Sequence, residues 1–227
     1  MCPRYALTGR PLSIAAYFEL ASIDPFPPRY NIAPTQPVGI VRIGHRGERE
    51  FVLVRWGLIP PWVKDPREFS TLINARAEGA ATKPSFRGAM RHKRCLIPAD
   101  AFYEWSGGAK GARRPHLVRK RDGQALALAG LYENWLGADG SEIETMAILT
   151  VPANGTVAPV HDRMPAILQP EDFEAWLDCR GVLADTAAKL LQPAPDDLLK
   201  VIEIGPEIGN PRNEGPELQQ PLRPRLL

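Results

Sequence analysis

Cysteine is scarce in this sequence, with three residues among 227, at positions 2, 95 and 179. An odd number spaced this widely excludes the disulfide framework of a small secreted domain and fits a reducing compartment. Metal-ligand spacing is missing too. No C-x-x-C or H-x-x-x-H pair occurs, and His92 with Cys95 is an isolated coincidence, so no metal centre is expected. There is no glycine-rich loop of the kind that cradles phosphates, and no cofactor is expected. No apolar run approaches the ~18 residues that cross a bilayer. Met1 to Pro11 is polar, with Arg4 and Arg10, where a secretory leader would carry its apolar stretch. The expectation is a cytoplasmic protein with no membrane partner.

Other features are present in quantity. Proline is plentiful at 24 residues, roughly double the usual ~5%, and scattered, which reads as a loop-rich fold. Hydrophobic residues make up 44% and charged residues 24%, so a core can be buried. No repeat or long linker divides the chain. One domain over residues 1–227 is expected, with 206–227 as a Pro-rich C-terminal segment. The net charge of +2 conceals an asymmetry: residues 1–121 hold 21 Lys and Arg against 9 Asp and Glu, and residues 122–227 hold 7 against 17. An excess of this kind suggests a polyanion partner such as nucleic acid. Arginine supplies 21 of the 28 basic residues, which favours planar contacts with phosphates and stacking on bases. The halves of one domain interleave, however, so many of these arginines would simply face solvent.

Apolar spacing predicts a short helix from Pro11 to Ser22, with Ile14, Tyr17, Phe18 and Leu20 on one face. Val38–Ile43 and Phe51–Leu58 read as a hairpin about His45-Arg46-Gly47. A second strand pair is predicted at His116–Lys120 and Ala125–Tyr132, joined by Arg121-Asp122-Gly123. Ala101–Trp105 and Met146–Val151 read as further strands. Short helices are predicted at Lys83–His92, Glu171–Asp178 and Ala184–Leu191, the second started by Pro170 with acids at the positive end of the dipole. The resulting class is α+β: a mostly antiparallel sheet bent into a barrel or sandwich, with helices packed outside.

Position 2 carries the most distinctive chemistry. Methionine is generally trimmed before a small residue, which would leave Cys2 with an α-amine and a thiol on adjacent carbons. An α-amine has a pKa of ~7.7–8.0 against ~10.4 for lysine, so roughly a tenth is neutral at pH 7. Such an amine condenses with an aldehyde, and the thiol can close onto the imine carbon as a thiazolidine. Alternatively the amine can act as base for its own thiol, as in N-terminal nucleophile hydrolases. Five further segments accompany it. Tyr30-Asn31-Ile32-Ala33-Pro34-Thr35 is turn-rich, and Trp56 to Trp62 ends a strand in a stiff loop that can hold a ring outward. Asn74, Arg76 and Glu78 alternate, which would place them on one face of an extended segment. In Phe102-Tyr103-Glu104-Trp105 a carboxylate sits among aromatics, where burial would raise its pKa and suit it to proton transfer. A fifth segment, Val160 to Pro165, sets His161 in a loop beside Arg163. Each also has a plainer reading: Asn31 and Asn74 as turn formers, Glu104 paired with a buried arginine, His161 structural, Trp62 in the core.

Together these segments resemble the SRAP (SOS response-associated peptidase) family, known as sensors of abasic sites. The match runs through Met1-Cys2 and Arg4, Tyr30 to Pro34, Trp56-Gly57, Ile73 to Glu78, Phe102 to Trp105, His161 to Pro165 and Gly209-Asn210-Pro211-Arg212-Asn213, over essentially the whole chain. The resemblance implies a monomer in a bacterial cytoplasm, associated with the nucleoid, that binds single-stranded DNA carrying abasic sites. It implies that Cys2 forms a thiazolidine crosslink with the ring-opened sugar, protecting the lesion. Asn74 would orient the sugar or the terminal amine, and Glu104 and His161 would shuttle protons. Arg4, Arg76 and Arg163 would contact phosphates, with Asn31 in the same interface, and Trp62 and Pro34 would stack or wedge beside the lesion. Self-removal of residues preceding Cys2, the source of the peptidase label, and lyase chemistry through a Schiff base are also implied. Pro3 departs from the glycine usual after the cysteine, and its missing N–H removes one hydrogen bond. Two other classes stay open: an N-terminal nucleophile amidohydrolase of the class II glutamine amidotransferase type, and a noncovalent single-stranded DNA-binding module.

Overall fold

The computed structural model describes residues 2–107 and 113–222. Met1, on whose trimming the Cys2 chemistry depends, and the end of the 206–227 segment lie outside the described residues. The strands in chain order are β1 (Arg4–Leu7), β2 (Arg29–Ile32), β3 (Pro37–Ile43), β4 (Arg49–Trp56), β5 (Asn74–Arg76), β6 (Arg94–Ala99) and β7 (Ala101–Ser106). They continue as β8 (Arg114–Lys120), β9 (Leu126–Leu136), β10 (Glu142–Pro152), β11 (Arg163–Pro165), β12 (Ile167–Leu168) and β13 (Leu199–Glu203). Five short helices lie between them: α1 (Pro11–Phe18), α2 (Ala77–Ala80), α3 (Arg87–His92), α4 (Phe173–Leu177) and α5 (Ala184–Ala188). None is long and apolar enough to cross a membrane.

The pairing closes a barrel. β10, β4, β3, β6 and β9 neighbour one another in that order, and β9 pairs back onto β10. Most pairs are antiparallel; β4 and β5 run parallel to β10. Both faces of β6 and nearly all of β9 are buried, so these strands read as continuous apolar runs instead of alternating ones. The β3–β4 hairpin forms where its turn residues put it, with Gly47 at φ 87° and Ile43 opposite Arg49. A second sheet, in the order β13-β8-β7-β1-β2, leans on the barrel. Asp100 makes the step between the two sheets. Its carboxylate accepts from the Thr8 and Gly9 amides and the Thr8 hydroxyl, fixing the chain beyond β1 to the β6–β7 corner. Residues 206–222 pack over this second sheet, where Ile208 and Leu218 join Ala6, Tyr103 and Leu117 in a small core.

One predicted pairing is corrected. The Arg121-Asp122-Gly123 turn exists, with Gly123 at φ 76°, but β8 and β9 do not pair. Both edges of β8 are already taken by β7 and β13, so the chain crosses from the second sheet into the barrel at this turn. The first helix is also shorter than its apolar pattern. It ends at Phe18 because Glu19 turns left-handed at φ 54° and the Leu20 amide bonds back to the Ala15 carbonyl.

The helices near the barrel's C-terminal half are tied down by one buried cation. Arg94 is 1% exposed and donates to the carbonyls of Met90, Trp176, Asp178 and Val182. Methionine at this position would fill similar volume but leave four carbonyls without their donor. At roughly 1–3 kcal/mol for each buried group left unsatisfied, Arg94→Met is expected to cost at least about 4 kcal/mol. The check is a fall in the denaturant midpoint with the slope unchanged.

Candidate active site

Cys2 precedes β1, which lies antiparallel to β7 with Arg4 opposite Tyr103 and Tyr5 opposite Phe102. Continuing that register carries the chain start alongside Glu104 and Trp105. Cys2 is fully buried, and its thiol donates to the Arg4 carbonyl at 3.4 Å. Burial pushes the thiol well above its ordinary pKa, and the neighbouring Glu104 charge pushes it further. Asn74, at the start of β5, donates from Nδ2 to the Cys2 carbonyl at 3.0 Å. Its Oδ1 is buried and has no hydrogen-bond partner among the described residues. An acceptor so placed suits an N–H or O–H arriving at the Cys2 end of the site.

Glu104 is 2% exposed, and burial raises its carboxyl to about 7. The Trp105 amide donates to it and opposes that rise, while the charge of Asp162 adds to it. Asp162 also flanks His161, so the 161–163 loop belongs to the same centre. Burial lowers the pKa of His161. Two groups compete for its Nδ1, each at 2.9 Å: the Arg163 amide, which needs a lone pair there, and the Asp162 carboxylate, which needs a proton. The depressed pKa favours the first, with a neutral ring whose proton sits on Nε2. Protonation would switch Nδ1 to Asp162.

Trp56 holds these elements in place. Its indole N–H donates to the Ile73 carbonyl at 2.9 Å, next to Asn74, and its ring meets Tyr5 edge-on at 5.2 Å, three residues from Cys2. Gly57 follows at φ 134°, where a Cβ would stand 2.3 Å from the Thr71 methyl, so only glycine makes this turn. The loop beyond it carries Trp62 outward, 56% exposed, with its ring edge-on to Phe69. Pro34 is half-buried, and the next residue, Thr35, sits at φ 72°. A β-branched residue there costs on the order of 1–3 kcal/mol, offset in part by its amide bond to the Trp56 carbonyl.

The cationic residues divide. Arg76 is exposed at the end of β5. Arg4 is half-buried and donates to Asn31 Oδ1 at 2.9 Å and to the Ile208 carbonyl. Asn31 is 1% exposed, and its amide donates to the carbonyls of Ile208, Asn210 and Asn213. It braces the Gly209–Asn213 motif and does not face a ligand in this arrangement. Arg163 is likewise turned inward, 9% exposed, bonding both Glu78 carboxylate oxygens and the Thr150 carbonyl. That contact holds the Glu78 carboxyl below the usual range. The arrangement corrects one expectation: Glu78 lies on α2, off the face shared by Asn74 and Arg76, because the extended segment ends at Arg76.

Sequence reasoning passed over His116 and Asp162. His116 is buried and directly opposite Glu104 across the β7–β8 pair, with Nδ1 on the Arg114 carbonyl. Only strand register could have found it. Asp162 stood in plain view beside His161, but its effect on Glu104 needs the fold. Among the described residues no group of three or more His, Cys, Asp or Glu could hold a metal.

The model of the SOS response associated peptidase (SRAP) family matches residues 1–211. The abasic site processing protein YoqW of Bacillus subtilis (strain 168) is 36% identical over 221 residues, 96% of this chain and 98% of that protein. The abasic site processing protein HMCES of Gallus gallus is 31% identical over 228 residues, 86% of this chain and 66% of that protein. A crystal structure of a protein from Bacteroides thetaiotaomicron is similar with a TM-score of 0.83 at 25% identity, covering 98% of this chain and all of that one.

Proposed function

The chain belongs to the SOS response associated peptidase (SRAP) family, and from that membership we propose that it captures abasic sites in single-stranded DNA as a thiazolidine on Cys2. The observation that carries this reading is the meeting of an N-terminal aminothiol position, pinned by Asn74, with a carboxyl whose pKa lies near 7. The names of its relatives as abasic site processing proteins point to the same lesion.

The buried thiol is held neutral, so the amine makes the first bond. Its nitrogen adds to the aldehyde carbon of the ring-opened sugar, and neutral His161 relays the proton from nitrogen to oxygen. Glu104, half protonated near pH 7, gives its proton to the carbinolamine hydroxyl, which leaves as water. The protonated imine then accepts the sulfur of Cys2, and the S–H proton returns to Glu104. One water is lost overall, Glu104 and His161 end in their starting protonation states, and Cys2 ends as the thiazolidine. An imine that instead loses the adjacent sugar proton would expel the 3′ phosphate, which is the lyase branch. Release of the residue preceding Cys2 by the same centre accounts for the peptidase label. Arg76 and Trp62, both exposed, supply the charge and the stacking face that a single strand needs.

Cys2→Ser separates the two bonds. It keeps the amine but lacks the sulfur, so its adduct with abasic single-stranded DNA is expected to survive denaturation only after borohydride reduction. The wild-type adduct is expected to survive without reduction, at a mass equal to the two partners less one water. Equal, unreduced survival of both adducts would contradict ring closure by sulfur.

A further inference from the structure

Beyond the stacking face of Trp62, its loop and helix α3 enclose a groove with no part in the bond-making at Cys2. It has a volume of about 270 Å³, below the ~300–1,000 Å³ of small-molecule pockets, and is lined by Trp62, Pro84, Arg87, Gly88, Arg91 and His92. Arg87 and Arg91 stand four residues apart, so they share one face of α3, while Ala89 and Met90 are buried on the other. Both arginines are exposed. The acid lining the groove, Glu133, is already bonded to Lys93, leaving Arg87 and Arg91 with no acidic partner among the described residues. The floor is open as well: no atom lies within 4 Å of where a Cβ on Gly88 would stand.

We propose that this groove carries the single strand flanking the lesion, with phosphates on Arg87 and Arg91 and a base against the face of Trp62. The proposal rests on the reading that the ligand is a DNA strand, and extends it from the lesion to a neighbouring nucleotide track. Two unpaired guanidinium groups one helical turn apart, beside an exposed indole set edge-on to Phe69, match a polyanion bearing flat rings. An acidic peptide would use the charges but not the stacking face.

The test is equilibrium binding of the full chain in a Cys2→Ser background, so that affinity is read whether or not a crosslink forms. Two strands are compared, one ending beside the abasic site and one extended on both sides. For single strands the salt slope is about 0.7 per phosphate contact. Removing two contacts with R87Q/R91Q is expected to lower the slope for the long strand by about 1.4. Between 50 and 200 mM salt the arginine-bearing chain then loses about sevenfold more affinity than the variant. R87K/R91K, which keeps both charges, is expected to restore most of the slope. Gly88→Glu, whose Cβ meets no atom within 4 Å and which sets a negative charge beside both arginines, is expected to reduce the preference for the long strand. An unchanged slope, or equal loss on both strands, overturns the proposal. If the long strand is not bound at all, the proposed DNA function falls with it, whereas crosslinking of the short strand by the chain that keeps Cys2, with an unchanged slope in the Cys2→Ser background, removes the groove alone.

Discussion

Glu104→Gln is expected to slow crosslinking by roughly 10²- to 10⁴-fold, the usual contribution of a positioned general acid–base group, while making the folded protein more stable. Both effects follow from one fact. The carboxyl is buried on a strand between aromatic neighbours, and burial carries its pKa from 4.5 to about 7. In the unfolded chain it ionises near 4.5, and in the folded chain only near 7. The folded state therefore suffers no penalty below pH 4.5 and a growing one up to about pH 7, after which the penalty is constant. With 1.36 kcal/mol for each pKa unit, the loss reaches roughly 3 kcal/mol. Glutamine cannot ionise, so the variant's stability should lack this fall. The rate carries the same signature. Crosslinking needs a neutral amine, whose ordinary pKa is ~7.7–8.0, and a protonated Glu104, so its profile is a bell with a maximum between pH 7 and 8. Glu104→Gln should lose the alkaline limb. A variant that kept this limb, or that reacted at the wild-type rate, would remove Glu104 from the chemistry.

This opposition between rate and stability is typical of a site that stores an unfavourable arrangement for use. Thr35 adds to it. A β-branched residue at φ 72° beside Pro34 is held by its bond to the Trp56 carbonyl, in the turn the sequence marks as part of the site. The region around Cys2 is thus expected to be less stable than the barrel that carries it.

Much of the chemistry was legible in the residues because it depends on side-chain type and local setting. A carboxylate among aromatics on a strand predicts burial and a raised pKa, and Glu104 has both. A tryptophan after Pro60-Pro61 predicts an outward ring, and Trp62 is exposed. Pro170 followed by two acids predicts a helix start, and the chain enters a helical turn there. What the sequence concealed depends on contacts between distant segments. Asn31 and Arg163 read as ligand-facing groups, and the fold adds partners for them, carbonyls and a carboxylate from residues 13 to 182 positions away, which no local pattern reports. Arg163 pairs with Glu78 only because β5 and β11 flank β10 on its two sides. The β8–β9 pairing failed for a related reason. A turn sequence fixes a reversal of direction, but which strand lies alongside is decided by the edges still open, and β8 had none.

The charge excess of the first half of the chain takes on a sharper meaning in the fold. Arg4, Arg42, Arg49 and Arg94 are absorbed by carbonyls, amides and acids, while Arg10, Arg46, Arg76, Arg87, Arg91 and Arg121 face outward. A polyanion would meet this smaller set, of which Arg87 and Arg91 share a groove with Trp62.

The central claim is that Cys2 itself makes the covalent bond to the lesion, and Cys2→Ala tests it most directly. Alanine keeps the chain start and a trimmed α-amine but deletes the sulfur from a buried position. Wild type and variant are mixed with single-stranded DNA in which uracil has been converted to an abasic site, then heated and run on a denaturing gel without reductant. A heat-stable shifted band is expected for the wild type and none for Cys2→Ala. A band of equal intensity in both lanes, or in neither, would contradict it.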